Sequence, residues 1–223
     1  MSRGMAKTST TKRPYDARRR RERGEQERRA TQSRVVEAAR GLFVTKGYMA
    51  TTMAEIAQEA GVALQSVYNA GQSKVDLLHR VVDLAVAGDD QEVMLLKRPS
   101  FAAIADEANP ERQVEMIAAL IAATMERLAV VWVAYRDAAA VDAKAAASLV
   151  AAHQRRHDTF AGMIGMIPAN RLRSPVEEAT DSAWAIGSID VFLLLRSIQG
   201  WDAAHYAKWL SQTLVDQLLA PER

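Results

Sequence analysis

The chain has 223 residues, 49% of them apolar and 25% charged, with a net charge of only +2 and no cysteine. That length accommodates a small domain beside a larger one with a real core, and the lack of cysteine excludes a disulfide framework or a thiolate metal site, which fits a reducing cytosol. The longest uncharged apolar run, near Met116–Met125, is well short of the roughly 18 to 20 residues of a membrane helix, and the charged N-terminal stretch lacks the apolar segment of a secretory leader. A cytoplasmic protein that does not enter membranes is expected.

Charge is unevenly spread. Residues 1–30 hold eleven Lys/Arg against four Asp/Glu, a net of +7, so the remainder carries −5. Within this stretch Arg18, Arg19, Arg20 and Arg21 follow Ser, Thr and Pro, and Gly24 interrupts the run. Too few apolar residues are present to fold alone, so residues 1–30 are expected to form a basic, disordered arm that tracks the DNA backbone or enters a minor groove. A solvated tail, or one whose last residues extend the first helix, is the alternative.

Val35, Ala38, Ala39, Leu42 and Phe43 then recur at helical spacing up to Lys46-Gly47, a basic last turn with a glycine stop. Thr52 and Glu55 have the spacing of a capping box and open a second helix that Gly61 ends. A third helix is predicted over about 63–70. Two short helices that cross steeply need a small residue at their closest approach, a sharp turn, and apolar residues pinning both to a support. Ala57 is the small residue, Gly61 the turn, and Ile56, Ala60, Val62 and Val67 the pins. This spacing is that of a DNA-binding helix-turn-helix. Ser73 and Asp76 open a fourth helix through Val75, Leu77, Leu78, Val81, Val82 and Leu84. On the open face of the reading helix, Gln65 and Asn69 lie one turn apart and carry amides suited to adenine. Leu64 and Ser66 complete the base-reading candidates, Leu64 either against a thymine methyl or packed inward.

Beyond residue 90 the chain reads as helical throughout. Asn109-Pro110-Glu111 opens a helix to about Arg127, a further segment covers Val130–Ala140, and another runs from Asp142 to Ile167, where Pro168 stops it. Ser174-Pro175-Val176-Glu177 combines a capping box with a first-turn proline, and its helix is predicted to continue to Gln199. Asp202 caps the last helix, with Tyr206, Trp209, Leu210, Thr213, Leu214 and Leu218 on one face. No alternating strand pattern appears, so the fold class is all-α. The last two helices are apolar around much of their circumference, and Val191, Leu194, Leu195, Trp209, Leu210 and Leu214 are candidates for a dimer interface; burial inside one protomer is the alternative. A two-fold axis would set two readers about 34 to 36 Å apart on a palindromic site. Met116, Met125, Trp132, Tyr135, Phe160, Met163 and Trp184 are candidates to line a pocket for a small apolar or aromatic effector, or to fill core. His153 and His157 share a helical face, but no third ligand is identifiable and a solvated face is favoured over a metal site. No Ser-His-Asp order, phosphate loop or metalloprotease motif is present, so neither an enzyme nor a cofactor is expected.

The run Val35-Val36-Glu37-Ala38-Ala39-Arg40-Gly41-Leu42-Phe43, followed by Gly47-Tyr48, Thr51-Thr52, Ile56-Ala57, Ala60-Gly61-Val62, Val67-Tyr68 and Ser73-Lys74, resembles the TetR/AcrR family of bacterial transcriptional regulators over about residues 31–80. Gly200-Trp201, Tyr206, Trp209-Leu210 and Leu214 are similar to the tail of some actinobacterial-type members. The resemblance implies a TetR-like fold: a three-helix helix-turn-helix domain at 31–80 and a helical effector-binding and dimerisation domain at 81–223. It implies phosphate contacts by Thr52, Tyr68 and Lys74, a homodimer on double-stranded operator DNA, and a repressor released by its effector. Two positions depart from the family pattern: Ala63 stands where a serine or threonine is usual, and Ala70-Gly71 where an aromatic is. A DNA-binding protein without an effector, constitutive or architectural, and a helical interaction protein that no longer reads DNA are the alternatives.

Overall fold

The computed structural model describes residues 14–88 and 97–221; the first thirteen residues of the basic arm lie outside them. Among the described residues the fold is built of helices, as the sequence pattern predicts, in an N-terminal cluster joined to a larger helical layer.

Helix α1 (Pro14–Thr45) ends at Gly47, whose φ of 85° places it in the left-handed region. Its buried face of Val35, Val36, Ala38, Ala39 and Phe43 begins only at Val35. The N-terminal half therefore projects from the fold, and residues 14–30 are helix instead of a disordered arm. Arg, Glu, Gln and Ala are good helix formers, and Arg18–Glu22 (2.8 Å) and Arg23–Glu27 (3.0 Å) pair one turn apart, which stabilises an exposed helix by a few tenths of a kcal/mol each.

Helices α2 (Met53–Ala60) and α3 (Leu64–Ala70) pack on α1 through fully buried Ile56 and Val67. Gly61 is left-handed, with φ 63°, and supplies the turn. Helix α4 (Lys74–Ala87) packs on α1 and on α6, so it crosses the boundary expected at residue 80 and belongs to both halves.

Helices α5 (Pro99–Asp106), α6 (Pro110–Val141), α7 (Ala143–Ile164), α8 (Val176–Ile186), α9 (Ile189–Leu193) and α10 (Ala203–Leu218) form the larger part. The two segments expected at 109–127 and 130–140 are one continuous helix, α6, because nothing between Arg127 and Val130 breaks a helix and Leu128 and Val131 continue the buried stripe. Asp142 ends α6 and caps α7, its carboxylate accepting from Lys144 N and Ala145 N. The helix expected from Ser174 to Gln199 is instead broken. No side chain caps its start, where Pro175 is the N-cap residue. At Gly187 a Cβ would lie 3.1 Å from Phe160 Cζ and 3.2 Å from Ile121 Cγ2. Ser188 then caps α9, and a π-helical turn over Leu194–Ile198 follows. The chain turns extended at Ser188 (φ −75°, ψ 155°), next to the close approach of Gly187 to the core, a packing invisible in local sequence.

Among the described helices, α6 alone is long and apolar enough to cross a bilayer, with 44% of its most apolar stretch buried in the fold. Counted as an uncharged run it falls short; counted as a helix that tolerates two charges it does not. It packs against α1, α4, α5, α7, α9 and α10, and its mid-helix charges are engaged: Arg196 donates to Glu126 at 2.9 Å and Arg127 donates to Ala85 O at 2.8 Å. These are the features of a core helix.

Candidate nucleic-acid interface

The start of α2 is a complete capping box. Glu55 N donates to Thr52 Oγ1 (3.2 Å), while Thr52 N and Thr52 Oγ1 both donate to Glu55 Oε2 (2.9 Å each). Lys46 also pairs with Glu55. The bond from Lys46 foremost, and those from Thr52 after it, hold the Glu55 carboxyl down to about 2. Thr52 is exposed at this helix end, where free amides and the dipole favour an anion such as phosphate.

Helix α3 presents a continuous outer face. Leu64 (43% exposed) and Tyr68 (42%) flank Gln65 and Asn69, and Gln65 Nε2 donates to Asn69 Oδ1 at 3.2 Å. Ser66 is half-buried beside them. All five candidates on this helix are thus brought to one side, and the paired amides are pre-arranged as one hydrogen-bonding surface. Leu64 lies open rather than packed. Ala63 is the N-cap residue and supplies no side-chain cap; its carbonyl accepts from Ser66 N at 2.8 Å instead.

Lys74 is placed differently from the phosphate role implied by resemblance. Its Nζ donates to Tyr48 O (2.8 Å), Thr51 O (2.9 Å) and Met49 O (3.4 Å), and it lies 4.3 Å from the Tyr48 ring centroid. An ammonium has three donors, and here all are spent on the α1–α2 connection. Lys74 is a strut between α4 and the loop that positions α2; burial lowers its pKa from the ordinary lysine value. A lysine at a helix start gives no sequence signal of this reach.

At Ala70-Gly71 the missing aromatic is explained by packing. Ala70 is buried, and a Cβ on Gly71 would fall 2.6 Å from Leu77 Cδ2 and 3.1 Å from Leu77 N. The α3–α4 connection passes so close to α4 that only glycine fits.

Arg18, Arg19, Arg20 and Arg21 lie exposed on the projecting half of α1, Arg18 paired with Glu22. The candidate effector residues are dispersed into core: Met125, Trp132, Tyr135, Phe160 and Met163 are buried, while Met116 and Trp184 are half-buried. Of these, Tyr135 alone reaches a cleft of about 350 Å³ lined by His79, Val82, Asp83, Tyr135, Ser148 and Arg155. That cleft is polar, unlike the apolar pocket expected, and sequence spacing could not find it because its walls come from α4, α6 and α7. His153 and His157 do not form a solvated face: both rings pack edge-on against Trp184, and His157 Nε2 lies 2.8 Å from Asp181 Oδ1. Among the described residues no group of three metal-ligating side chains is assembled.

Of the interface candidates, Leu210 and Leu214 are fully buried against the protomer's own helices and cannot meet a partner. Val191, Leu195 and Trp209 are half-buried, while Leu194 (54% exposed) and Ile198 (71%) stand open on the π-helical turn.

Residues 35–81, from the core face of α1 to the middle of α4, match the family model described as bacterial regulatory proteins, tetR family. These residues form a TetR-family DNA-binding domain. The protein is a DNA-binding transcriptional regulator rather than an enzyme. No curated protein matches the chain. Several solved structures share its fold at low identity. A transcriptional regulator from Saccharomonospora viridis, solved with choline, is 18% identical with a TM-score of 0.63 over 85% of this chain and 98% of its own. A TetR-family regulator from Mesorhizobium loti is 15% identical, with a TM-score of 0.62 over 86% and 98%. The SmeT–triclosan complex is 15% identical, with a TM-score of 0.62 over 87% and 98%. The fold of the chain is therefore matched across nearly the whole length of these structures.

Proposed function

We propose that the protein is a dimeric repressor that binds a palindromic DNA operator in the cytoplasm and releases it when a small molecule binds the helical domain. The observation that carries this reading is α4, which is fastened at both ends. Lys74 holds the α1–α2 loop, Lys144 on α7 pairs with Asp76 at 2.6 Å, and Arg127 on α6 donates to Ala85 O. A rigid element shared by reader and helical layer is what a coupling free energy between two sites requires. The ligands in the choline and triclosan complexes of similarly folded proteins support an effector. The open apolar edge of Leu194 and Ile198, with Val191, Leu195 and Trp209, supports a two-fold contact there.

Gln65, Asn69, Ser66 and Leu64 read bases; Thr52 and Tyr68 contact phosphate. The test is selection of duplexes from a random pool at near-physiological salt, followed by titration of the selected site. A palindrome with half-sites about one helical turn apart, bound at least tenfold more weakly by Tyr68→Ala or Gln65→Ala, is the expected result. Enrichment without consensus, with affinity collapsing in salt, overturns it in favour of architectural binding through the basic α1 extension.

A further inference from the structure

The cleft against α4 has a chemistry that the family relationship does not specify. Its walls carry one acid, Asp83 on α4, and one guanidinium, Arg155 on α7, with His79, Tyr135 and Ser148 between. Among the described residues neither charged side chain has a hydrogen-bond or ion-pair partner, although each feels the other electrostatically. Tyr135 donates its hydroxyl to Ser148 Oγ at 3.0 Å, and His79 sets its ring edge-on to Tyr135, the centroids 6.1 Å apart. The His79 Nε2 atom is buried without a partner. Burial also pushes the imidazole below its ordinary pKa and Asp83 above the usual carboxylate range, while Asp83 and Arg155 both keep an exposed side toward solvent. Asp83 feels the charges of Arg155 first, then of His79 and Arg80.

We infer that this cleft binds a small zwitterion of the amino-acid type, its ammonium on Asp83 and its carboxylate on Arg155. A simple cation would satisfy Asp83 and be repelled by Arg155; a simple anion would do the reverse. A molecule carrying both charges compensates both walls at once, and polar groups left between them meet Ser148 and the unpartnered nitrogen of His79. The volume, about 350 Å³, lies at the lower end of the roughly 300 to 1,000 Å³ of small-molecule sites and suits a compact metabolite. Such a ligand joins α4 to α7 further along both helices than the Asp76–Lys144 pair. This assignment rests on the effector reading and gives that effector its chemical class.

Calorimetry and thermal melting of the full chain with the common α-amino acids and a series of ω-amino acids test it. At least one is expected to bind and raise the melting temperature. Its N-acetyl and carboxamide analogues, each lacking one charge, are expected to bind about tenfold more weakly or worse. Asp83→Asn is expected to lose the preference for the free amine, and Arg155→Gln the preference for the free carboxylate. If neither panel gives heat or stabilisation, or if the blocked analogues bind as well as the parent, the zwitterion site is wrong. The blocked analogues require no mutation, so the result stands even if a variant misfolds. DNA titration of the unliganded protein is run alongside: retained operator binding with no amino-acid binding overturns only the ligand class. Amino-acid binding that leaves operator affinity unchanged overturns the effector reading instead.

Discussion

Gly71 and Glu55 show how much one position can carry in the reading domain. The Cβ that alanine would add at position 71 meets Leu77 at 2.6 Å from Cδ2 and 3.1 Å from the backbone nitrogen. The side chain could rotate, but the nitrogen belongs to α4 and cannot. Gly71→Ala is expected to destabilise the protein by about 1 to 3 kcal/mol, as overpacking does, and to lower its melting temperature; an unchanged melt would show that α3 and α4 are less closely apposed. Glu55 has its carboxyl depressed from an ordinary 4.5 to about 2 by Lys46 and the Thr52 cap. A depressed carboxylate contributes stability that is complete above the unfolded pKa and is lost as pH falls through the folded one. Melts from neutral pH down to about 2 should therefore show wild type above Glu55→Gln at neutral pH, converging as the carboxylate is protonated. A constant gap across that window would mean that the cap, not the charge, matters. The threonine-to-glutamate spacing announced this box in the sequence, whereas nothing local announced that Lys74 would turn its charge onto three carbonyls.

At the scale of elements, the first helix and the broken α8–α9 segment show opposite errors of local reasoning. The arginine-rich stretch has no apolar face, which argued for disorder, yet α1 runs back to Pro14, built of good helix formers and with Arg–Glu pairs one turn apart along it. Because its buried face begins at Val35, deleting residues 1–29 should change global stability by less than about 0.5 kcal/mol. The same deletion removes the main concentration of positive charge, so the slope of log affinity against log salt should flatten by about 0.9 for every phosphate that the extension neutralises. An unchanged slope would mean that the extension does not touch DNA. In α8, by contrast, strong start signals and good periodicity argued for one long helix, and the segment divides at Gly187-Ser188, where the backbone lies against Phe160 and Ile121. Both outcomes depend on whether a segment has neighbours, which local pattern does not report.

For the whole molecule, the same distinction decides the interface. Leu210 and Leu214 looked like part of a surface seeking a partner; they are buried on the protomer's own helices, α10 packing on α6 and α8. Leu194→Glu combined with Ile198→Glu, at positions 54% and 71% exposed, is expected to convert the proposed dimer to monomer by light scattering with little loss of secondary structure. Leu210→Glu is expected to unfold the helical layer. A dimer that survives the double glutamate variant would move the interface elsewhere. What the sequence by itself determined is the helical class, the caps and glycine turn of the reader, and the set of side chains on its outer face, because these follow from interactions within a few residues along the chain. What only the tertiary structure decided is the job of Lys74, the core fate of the methionines and tryptophans, the break at Gly187, and the polar cleft between Asp83 and Arg155. Those depend on which helices lie side by side, and burial is a property of the packed layer that no helical periodicity can distinguish from an exposed apolar face.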